Sequence, residues 1–374
     1  MSRDTLGPAG ITSDPDRIVT LDILRGMALF GMILVHFHQT MEIPSTGAED
    51  LVGWTIWMGV ETKSWATFAF LFGAGFAILM RRAETRGLKV VPLYLRRMLG
   101  LAVIGLAVQL LLGFRILLDY AIWGVVLLFV RNWSTRALLL LALASAISLS
   151  VYSRVVPQDS AARAAVTTRL HEAEAHGTFT EAVQARAANA RYWFLRPRVL
   201  VPDSNLVLFI FGLLAIRHGI FNDPKRKIRI ILMMMAFGFV SWALYWLGSL
   251  RLDMESGYGI VNDQWLAFTY IGAVILLLAY RPVWKQRLAM FGVAGRMALT
   301  NYVLQAAILS LLASGYGLAL RIRPYYELPA TVLFFSALAL FSMMWLSRFR
   351  YGPLERVWRW FTYAEWRVNR PIVA

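Results

Sequence analysis

The hydrophobic residues of this chain fall into long runs that short polar segments separate. An α-helix needs about 20 predominantly apolar residues to cross a bilayer, and runs near this length predict about ten transmembrane helices. They lie at residues 19–39, 54–80, 97–114, 116–130, 135–154, 202–217, 230–250, 264–280, 288–314 and 329–347. Only Arg115 and Asp119 mark the turn between the third and fourth runs, and the fourth run is short for a full span. The pattern predicts an all-α membrane bundle that forms a single domain over residues 1–374.

Two segments outside the predicted spans also have helical character. Residues 155–200 form the longest connection, and 161–191 within it lack proline and are rich in Ala, Glu and Arg, which predicts one or two amphipathic helices. We expect these helices to cap the outer face, and the alternative is that they gate the entry of an acceptor. The tail 348–374 begins with a run rich in Trp and Arg, which predicts a helix lying in the cytoplasmic interface.

Composition and charge support a membrane protein and set its predicted orientation. The chain is 58% hydrophobic and 16% charged, with a mean hydropathy of +0.56. Its net charge of +16 does not imply nucleic-acid binding, because most Lys and Arg lie in alternate segments between spans. The short segments on the other side are neutral or acidic, so the positive-inside rule places both termini in the cytoplasm. The absence of cysteine excludes disulfides, thiolate catalysis and Cys-ligated metals.

The first predicted helix carries the strongest candidate chemistry. Asp22 and Arg25 are three residues apart and can pair on one helix face. Arg25 and His36 are eleven residues apart, so they share a face and lie about 16 Å apart along the helix axis. Ionisable groups at this depth usually face a partner or a wet cavity. Arg25 is therefore either half of a neutral structural pair or a binding group for an anion.

The two histidines of this helix do not suit a metal site. His36 and His38 point about 160° apart on a regular helix, whereas a two-histidine zinc site uses i, i+4 spacing. We therefore predict no bound metal. His36 is the candidate general base, because imidazole titrates near neutrality. The alternative for either histidine is packing at the membrane interface.

The same helix resembles two known families. The segment 21–33, which begins Leu-Asp-Ile-Leu-Arg-Gly, resembles the first helix of YeiB-like membrane proteins that carry a domain of unknown function, DUF418. Arg25 followed after ten residues by His36 is similar to the signature of the acyltransferase-3 family, whereas DUF418 proteins more often have asparagine at the position of His36. The two families resemble branches of one superfamily of transmembrane acyltransferases.

Further motifs carry the DUF418 resemblance. Lys63 precedes residues 71–76, Leu-Phe-Gly-Ala-Gly-Phe, and this order is similar to a DUF418 pattern of a lysine before Leu-Phe-Gly-x-Gly-Phe. Residues 297–305 resemble the DUF418 motif Ala-Leu-Thr-Asn-Tyr-Leu-x-Gln, and residues 352–363 resemble the closing segment of the family. At the turn near residue 115 the family has aspartate in Asp-Ile-Leu-x-x-Tyr-Ala, but this chain has Arg115, with Asp119 four residues on as a potential partner. Any role of the family aspartate is therefore in doubt for this chain.

Each of the remaining candidate residues has two interpretations. Lys63 either extends to the outer interface or belongs to a site. Arg96 and Arg97 are explained by the positive-inside rule, whereas the resemblance implies that they hold phosphates of an acyl donor. Asn301 and Gln305 lie one turn apart and either bind helices together or orient a carbonyl or an acceptor hydroxyl.

The resemblance implies a membrane acyltransferase that moves an acyl group from cytoplasmic acyl-CoA, with acetyl-CoA as the expected donor, to an acceptor at the outer face. His36 would be the base or acyl carrier. The substrate and donor contacts would be Asp22, Arg25, His38, Lys63, Arg96, Arg97, Asn301 and Gln305. The acceptor would be a small molecule or a glycan, and the protein would be a multi-pass component of the bacterial inner membrane, in contact with lipids.

A different class of function competes with this one. The alternative is a transporter or a lipid-binding protein whose Asp22, Arg25 and His36 line a path through the membrane. Neither function involves nucleic acid, and a homodimer and a monomer are both open. A resemblance of family does not by itself establish a reaction.

Overall fold

The computed structural model describes residues 18–41, 43, 47–155, 160–195, 204–252 and 261–363. These residues form helices joined by short connections and contain no β-sheet, so the predicted all-α class is confirmed. The first two residues of the predicted span 202–217, and the end of the tail beyond Tyr363, lie outside the described residues. Below, inner and outer refer to the predicted orientation, in which the first helix runs from the inner to the outer face.

The first nine helices include the predicted cap. The long connection at residues 155–200 contains two consecutive helices, α7 and α8, as the composition of residues 161–191 predicts. The bounds are α1 Val19–Met41, α2 Ala48–Ile56, α3 Thr62–Thr85, α4 Val90–Leu112, α5 Ile116–Val130, α6 Thr135–Val155, α7 Ser160–His176, α8 Phe179–Phe194 and α9 Ser204–Arg217.

The remaining helices include the predicted tail helix, α16. They are α10 Ile228–Leu252, α11 Leu266–Tyr280, α12 Trp284–Arg287, α13 Ala289–Arg296, α14 Ala298–Ala313, α15 Pro324–Arg348 and α16 Pro353–Tyr363. A π-helical turn, Trp57–Glu61, joins α2 to α3, and a 3₁₀ turn, Asp263–Trp265, precedes α11.

Length and composition support several membrane spans within the described residues. Six helical stretches are long and apolar enough to cross a bilayer, and α13 with α14 adds a seventh if the two halves form one span. Three further apolar helices, α5, α6 and α9, are shorter over their described apolar residues. The chain is therefore a multi-pass helical membrane protein, while the number of ten spans and the orientation stay predictions.

One predicted span is not a single helix. The run 288–314 is broken at Met297, where α13 ends and α14 begins at an angle of 87°. Met297 has φ −109° and ψ 38°, outside the helical range, so the backbone turns there. The prediction of one continuous helix is wrong at this point, because an apolar run has the same sequence pattern whether it is straight or bent. The break places the motif 297–305 at the start of a new helix.

Helix α1 lies at the centre of the bundle. The close approach of another helix backbone explains the glycine at position 26. It packs against α3, α13, α14 and α15. A side chain at Gly26 would collide with the carbonyl of Phe291 in α13, and one at Gly295 would collide with the carbonyl of Asp22. These glycines let α13 lie directly on the inner half of α1, so the broken helix and the candidate residues of α1 are neighbours.

Candidate functional site

The inner end of α1 holds the predicted ion pair. Arg25 Nη1 lies 2.9 Å from Asp22 Oδ1, which confirms the pairing expected from the three-residue spacing. The Arg25 side chain is 27% exposed, so it is not sealed inside the bundle. Gly75 of α3 leaves room beside it, since an added Cβ there would lie 3.6 Å from Arg25 Nη2. The small residue of the predicted motif thus faces the arginine.

The two adjacent arginines of α4 have different surroundings. Arg96 is exposed, as expected for a residue that serves only the positive-inside rule. Arg97 is partly buried and lies over the ring of Trp358 in α16, with its guanidinium carbon 3.5 Å from the ring centroid. The Arg97 guanidinium is also within electrostatic range of Arg25. Of the two arginines, Arg97 is therefore the candidate that acts together with the pair at the inner end of α1.

The outer end of α1 holds His36 against Phe114. Its ring lies 4.5 Å from the ring of Phe114, which follows the last turn of α4. Its Nδ1 atom is buried and has no hydrogen-bond partner among the described residues. A buried polar atom without a partner costs about 1–3 kcal/mol, so such an atom is a candidate contact for a bound molecule. His36 therefore contacts the residue that follows α4, whereas Arg25 lies beside Gly75 of α3.

His38 faces another part of the bundle. Its Nδ1 lies 3.2 Å and 3.3 Å from the two carboxylate oxygens of Glu327, which is fully buried in the first turn of α15. The structure therefore separates His38 from His36 and gives it a carboxylate partner. Glu327 was not identified from the sequence, although a carboxylate at the start of a long apolar helix is the available signal.

Lys63 is also buried. The sequence alone left two interpretations of this residue open, an extended side chain at the outer interface and a site residue. Its side chain is 1% exposed, and Nζ donates to Asp263 Oδ2 at 2.9 Å. Thr62 donates to the same carboxylate oxygen at 3.0 Å. Lys63 therefore does not extend to the interface, and its partner is Asp263. This pair joins α3 to the 3₁₀ turn before α11.

The two amides of α14 differ in their partners. Asn301 donates from Nδ2 to Ala294 O and to Ser342 Oγ, both at 2.9 Å, and so joins both sides of the helix break to α15. Gln305 is fully buried, and neither its oxygen nor its nitrogen has a hydrogen-bond partner among the described residues. Asn301 therefore binds helices together, while Gln305 has the unused polar atoms expected of a contact for a ligand.

The tail helix caps the broken helix. Glu355 Oε1 accepts hydrogen bonds from the backbone N–H groups of Leu299 at 2.8 Å and Thr300 at 3.1 Å, in the first turn of α14. These are N–H groups that a helix start leaves without partners. Burial raises the pKa of Glu355, and the hydrogen bonds from Thr300 and Leu299 act in the opposite direction. The tail is thus part of the bundle and not solely a membrane anchor.

The α7–α8 hairpin is held over the outer ends of α4 and α14. Arg186 is 3% exposed and donates to Glu174 at 2.8 Å, to the carbonyl of Leu111 at 2.7 Å and to the hydroxyl of Tyr316 at 3.0 Å. The predicted pair of Arg115 with Asp119 is present nearby at 3.0 Å. The hairpin therefore lies close to the side of α4 where His36 meets Phe114.

Two family models divide the chain between them. The catalytic region of heparan-alpha-glucosaminide N-acetyltransferase matches residues 17–159, which include Arg25, His36 and Arg97. The protein of unknown function DUF418 matches residues 215–365, which include Asn301, Gln305 and Glu355. The first match is to an acetyltransferase, whereas the resemblance argued from the spacing of Arg25 and His36 is to the acyltransferase-3 family.

Three relatives align with this chain along most of its length. The uncharacterised protein YxaH of Bacillus subtilis is 27% identical over 94% of this chain and 96% of its own length. An uncharacterised 39.9 kDa protein encoded in the amylase 3′ region of Bacillus acidopullulyticus is 29% identical over 93% of this chain and 94% of its own. The uncharacterised protein YeiB of Escherichia coli is 28% identical over 93% and 96%. The resemblance to DUF418 and YeiB-like proteins is confirmed.

Proposed function

We propose that this chain, a protein similar to the YeiB-like DUF418 proteins along most of its length, is a membrane acyltransferase. It would take an acyl group from cytoplasmic acyl-CoA, with acetyl-CoA as the expected donor, and pass it to an acceptor at the outer face of a bacterial inner membrane. The observation that carries the proposal is the match of residues 17–159 to an acetyltransferase catalytic region, since this region contains both Arg25 and His36.

The geometry of α1 supports a division of labour along the helix. Arg25 and Arg97 at the inner end supply positive charge for the phosphates of a donor. His36 lies about 16 Å further along the axis, a distance suited to an extended donor whose thioester reaches away from its phosphates. Among the described residues, His36 Nδ1 and the Gln305 amide are buried without hydrogen-bond partners, and we assign these atoms to the transfer step.

Two routes balance chemically. In the direct route, His36 accepts the proton of an acceptor O–H or N–H while that atom attacks the thioester carbon. The C–S bond then breaks, and the leaving sulfur takes the proton back from the imidazolium. In the two-step route, a His36 nitrogen forms the bond to the acyl carbon and the thiol leaves with the imidazole proton. The acceptor then attacks the acyl carbon, the bond from nitrogen to the acyl carbon breaks, and the acceptor's proton returns to the imidazole.

The acceptor class is drawn from the matched acetyltransferase, whose name describes acetyl transfer to the nitrogen of a glucosaminide. We extend this to an amino or hydroxyl group of a glycan or small molecule. Whether the α7–α8 hairpin caps or gates the outer end decides how such an acceptor enters.

The first experiment measures donor binding by thermal unfolding of the purified full chain in detergent. Acetyl-CoA at 100 times its dissociation constant should stabilise the folded protein by about 2.7 kcal/mol. The shift should disappear in Arg25→Ala and persist in Arg81→Ala, which removes an exposed arginine at the end of α3. No shift for any acyl-CoA chain length, together with CoA-independent uptake of solutes by proteoliposomes, would instead support a transporter.

A further inference from the structure

Three arginines from three helices lie at the inner end of the bundle, where α16 packs on α4. Arg97 of α4 lies within electrostatic range of both Arg25 of α1 and Arg359 of α16. Trp358 also fastens α16 to α4, because its indole N–H donates to the carbonyl of Arg97 at 2.7 Å. The tail helix therefore brings its own arginine to the pair of arginines in the bundle.

Within the described residues, a carboxylate pairs with one of the three cations of this cluster and not with the other two. Arg25 pairs with Asp22, but neither Arg97 nor Arg359 makes an ion pair within the part of the chain that the structure describes. Like charges brought together and partly buried repel more strongly than in water. Trp358 lies under Arg97, and the rings of Tyr351 and Tyr363 lie 4.3 Å and 5.1 Å from Arg359. Such rings attract a cation without neutralising its charge.

The cluster also has polar atoms without partners. The Nε atom of Arg359 is buried and has no hydrogen-bond partner among the described residues, and the same holds for the hydroxyl of Tyr94. Tyr94 is 1% exposed and lies within electrostatic range of Arg97. Arg25, at 27% exposure, keeps the cluster in reach of solvent. An anion with several oxygens would balance the charge and supply the missing acceptors.

We infer that α16 completes an anion site for phosphate esters, in which Arg359 binds the ligand together with Arg97 and Arg25. Guanidinium groups suit phosphate because their N–H groups match its oxygens in pairs. The site would join the acetyltransferase-like residues 17–159 to the DUF418 residues 215–365, since Arg359 belongs to the second part. Identifying the anion as the phosphates of CoA rests on the proposed function, whereas an anionic lipid headgroup offers the same chemistry.

The test titrates free CoA into the full chain in nanodiscs of phosphatidylcholine and follows binding by calorimetry. Arg359→Gln should raise the dissociation constant about tenfold or more, because a charge-assisted hydrogen bond is lost. Arg350→Gln is the matched control. Arg350 is exposed, and its guanidinium carbon lies 5.6 Å from the ring of Tyr351, which Arg359 also contacts. Arg350→Gln therefore removes the same charge from the tail as Arg359→Gln without changing a residue of the cluster. Arg359→Lys, which keeps the charge, should recover part of the affinity, and unchanged thermal unfolding shows that the variants fold.

The outcomes separate this inference from the proposed function. If Arg359→Gln binds CoA more weakly than wild type and Arg350→Gln does not, both the anion site and the proposed function are supported. CoA binding that is equal in wild type, Arg359→Gln and Arg350→Gln overturns the role of Arg359 and leaves acyl transfer standing. If wild type binds no CoA but retains phosphatidylglycerol by native mass spectrometry, and Arg359→Gln loses that lipid, the anion site stands and the donor assignment falls. If wild type retains neither, the inference is wrong.

Discussion

Glu327 holds His38 from the opposite helix, with both carboxylate oxygens within 3.3 Å of the imidazole Nδ1. The carboxylate has no exposed side-chain surface, and the His38 side chain is 14% exposed. This contact ties the outer end of α1 to the first turn of α15, 289 residues away in the sequence. A buried carboxylate of this kind depends on its partner, because an unpaired charge in such surroundings is expensive.

Removing one member of this pair should destabilise the protein strongly. His38→Ala is expected to cost about 3–5 kcal/mol, because it leaves the fully buried carboxylate of Glu327 without its imidazole partner. The double variant Glu327→Leu with His38→Leu should recover most of this loss, since apolar groups need no partner. Thermal unfolding in detergent measures both, with Glu84→Ala at the exposed end of α3 as control. Equal stability of His38→Ala and Glu84→Ala would show that the contact contributes nothing.

The burial of Lys63 with Asp263 predicts a strong energetic coupling. A double-mutant cycle with Lys63→Met and Asp263→Asn should give an interaction of about 1–3 kcal/mol. The matched comparison is the pair of Arg115 with Asp119, whose side chains are 44% and 23% exposed. Its cycle should give at most about 1 kcal/mol. Similar values for the two pairs would indicate that Lys63 is solvated in the membrane-embedded protein.

Arg186 should control the attachment of the α7–α8 hairpin. Arg186→Ala removes its hydrogen bonds to Glu174, Leu111 and Tyr316, so amide hydrogen exchange in residues 160–194 should speed up. Arg191→Ala, exposed on the same helix, should leave exchange unchanged. If the hairpin is a gate, Arg186→Ala should also alter the KM for the acceptor while CoA binding stays the same. Unchanged acceptor kinetics despite faster exchange would favour a passive cap.

The cap that Glu355 provides should depend on pH. Burial raises the pKa of this carboxyl above its ordinary value of 4.5, so the folded protein binds the proton more tightly than the unfolded chain. The resulting stability is fully present below the unfolded pKa and is lost as the pH rises through the folded pKa. The melting temperature of wild type relative to Glu355→Gln should therefore fall from pH 4.5 toward neutral pH. Parallel curves for the two proteins would contradict this.

Local spacing predicted the contacts that one helix makes with itself. Asp22 with Arg25 and Arg115 with Asp119 are three and four residues apart, and both pairs are present because helix geometry alone brings such residues together. The all-α class was also predictable, because apolar runs of about 20 residues have the length of a helix that crosses a bilayer. These features need no knowledge of how the helices pack.

Contacts between segments that are distant in the sequence could not be predicted from local patterns. Glu327 reaches His38, Asp263 reaches Lys63 and Glu355 reaches the start of α14 only after the bundle has assembled. The break at Met297 was also hidden, because the residues on both sides are equally apolar. Sequence pattern records the period of each helix and carries little information about which helix lies beside it.

The role assigned to His36 predicts that binding and transfer can be separated. His36→Ala should bind CoA with unchanged affinity, because the residue lies about 16 Å along α1 from Arg25 and contacts Phe114 at the outer end. It should transfer the acetyl group about 10²- to 10⁴-fold more slowly, the usual contribution of a positioned acid or base. Labelled acetyl-CoA with an amino-sugar acceptor measures the rate, and His171→Ala in α7 serves as the control. Transfer at the wild-type rate by His36→Ala would assign the proton transfer to another group and leave His36 as a residue that packs on Phe114.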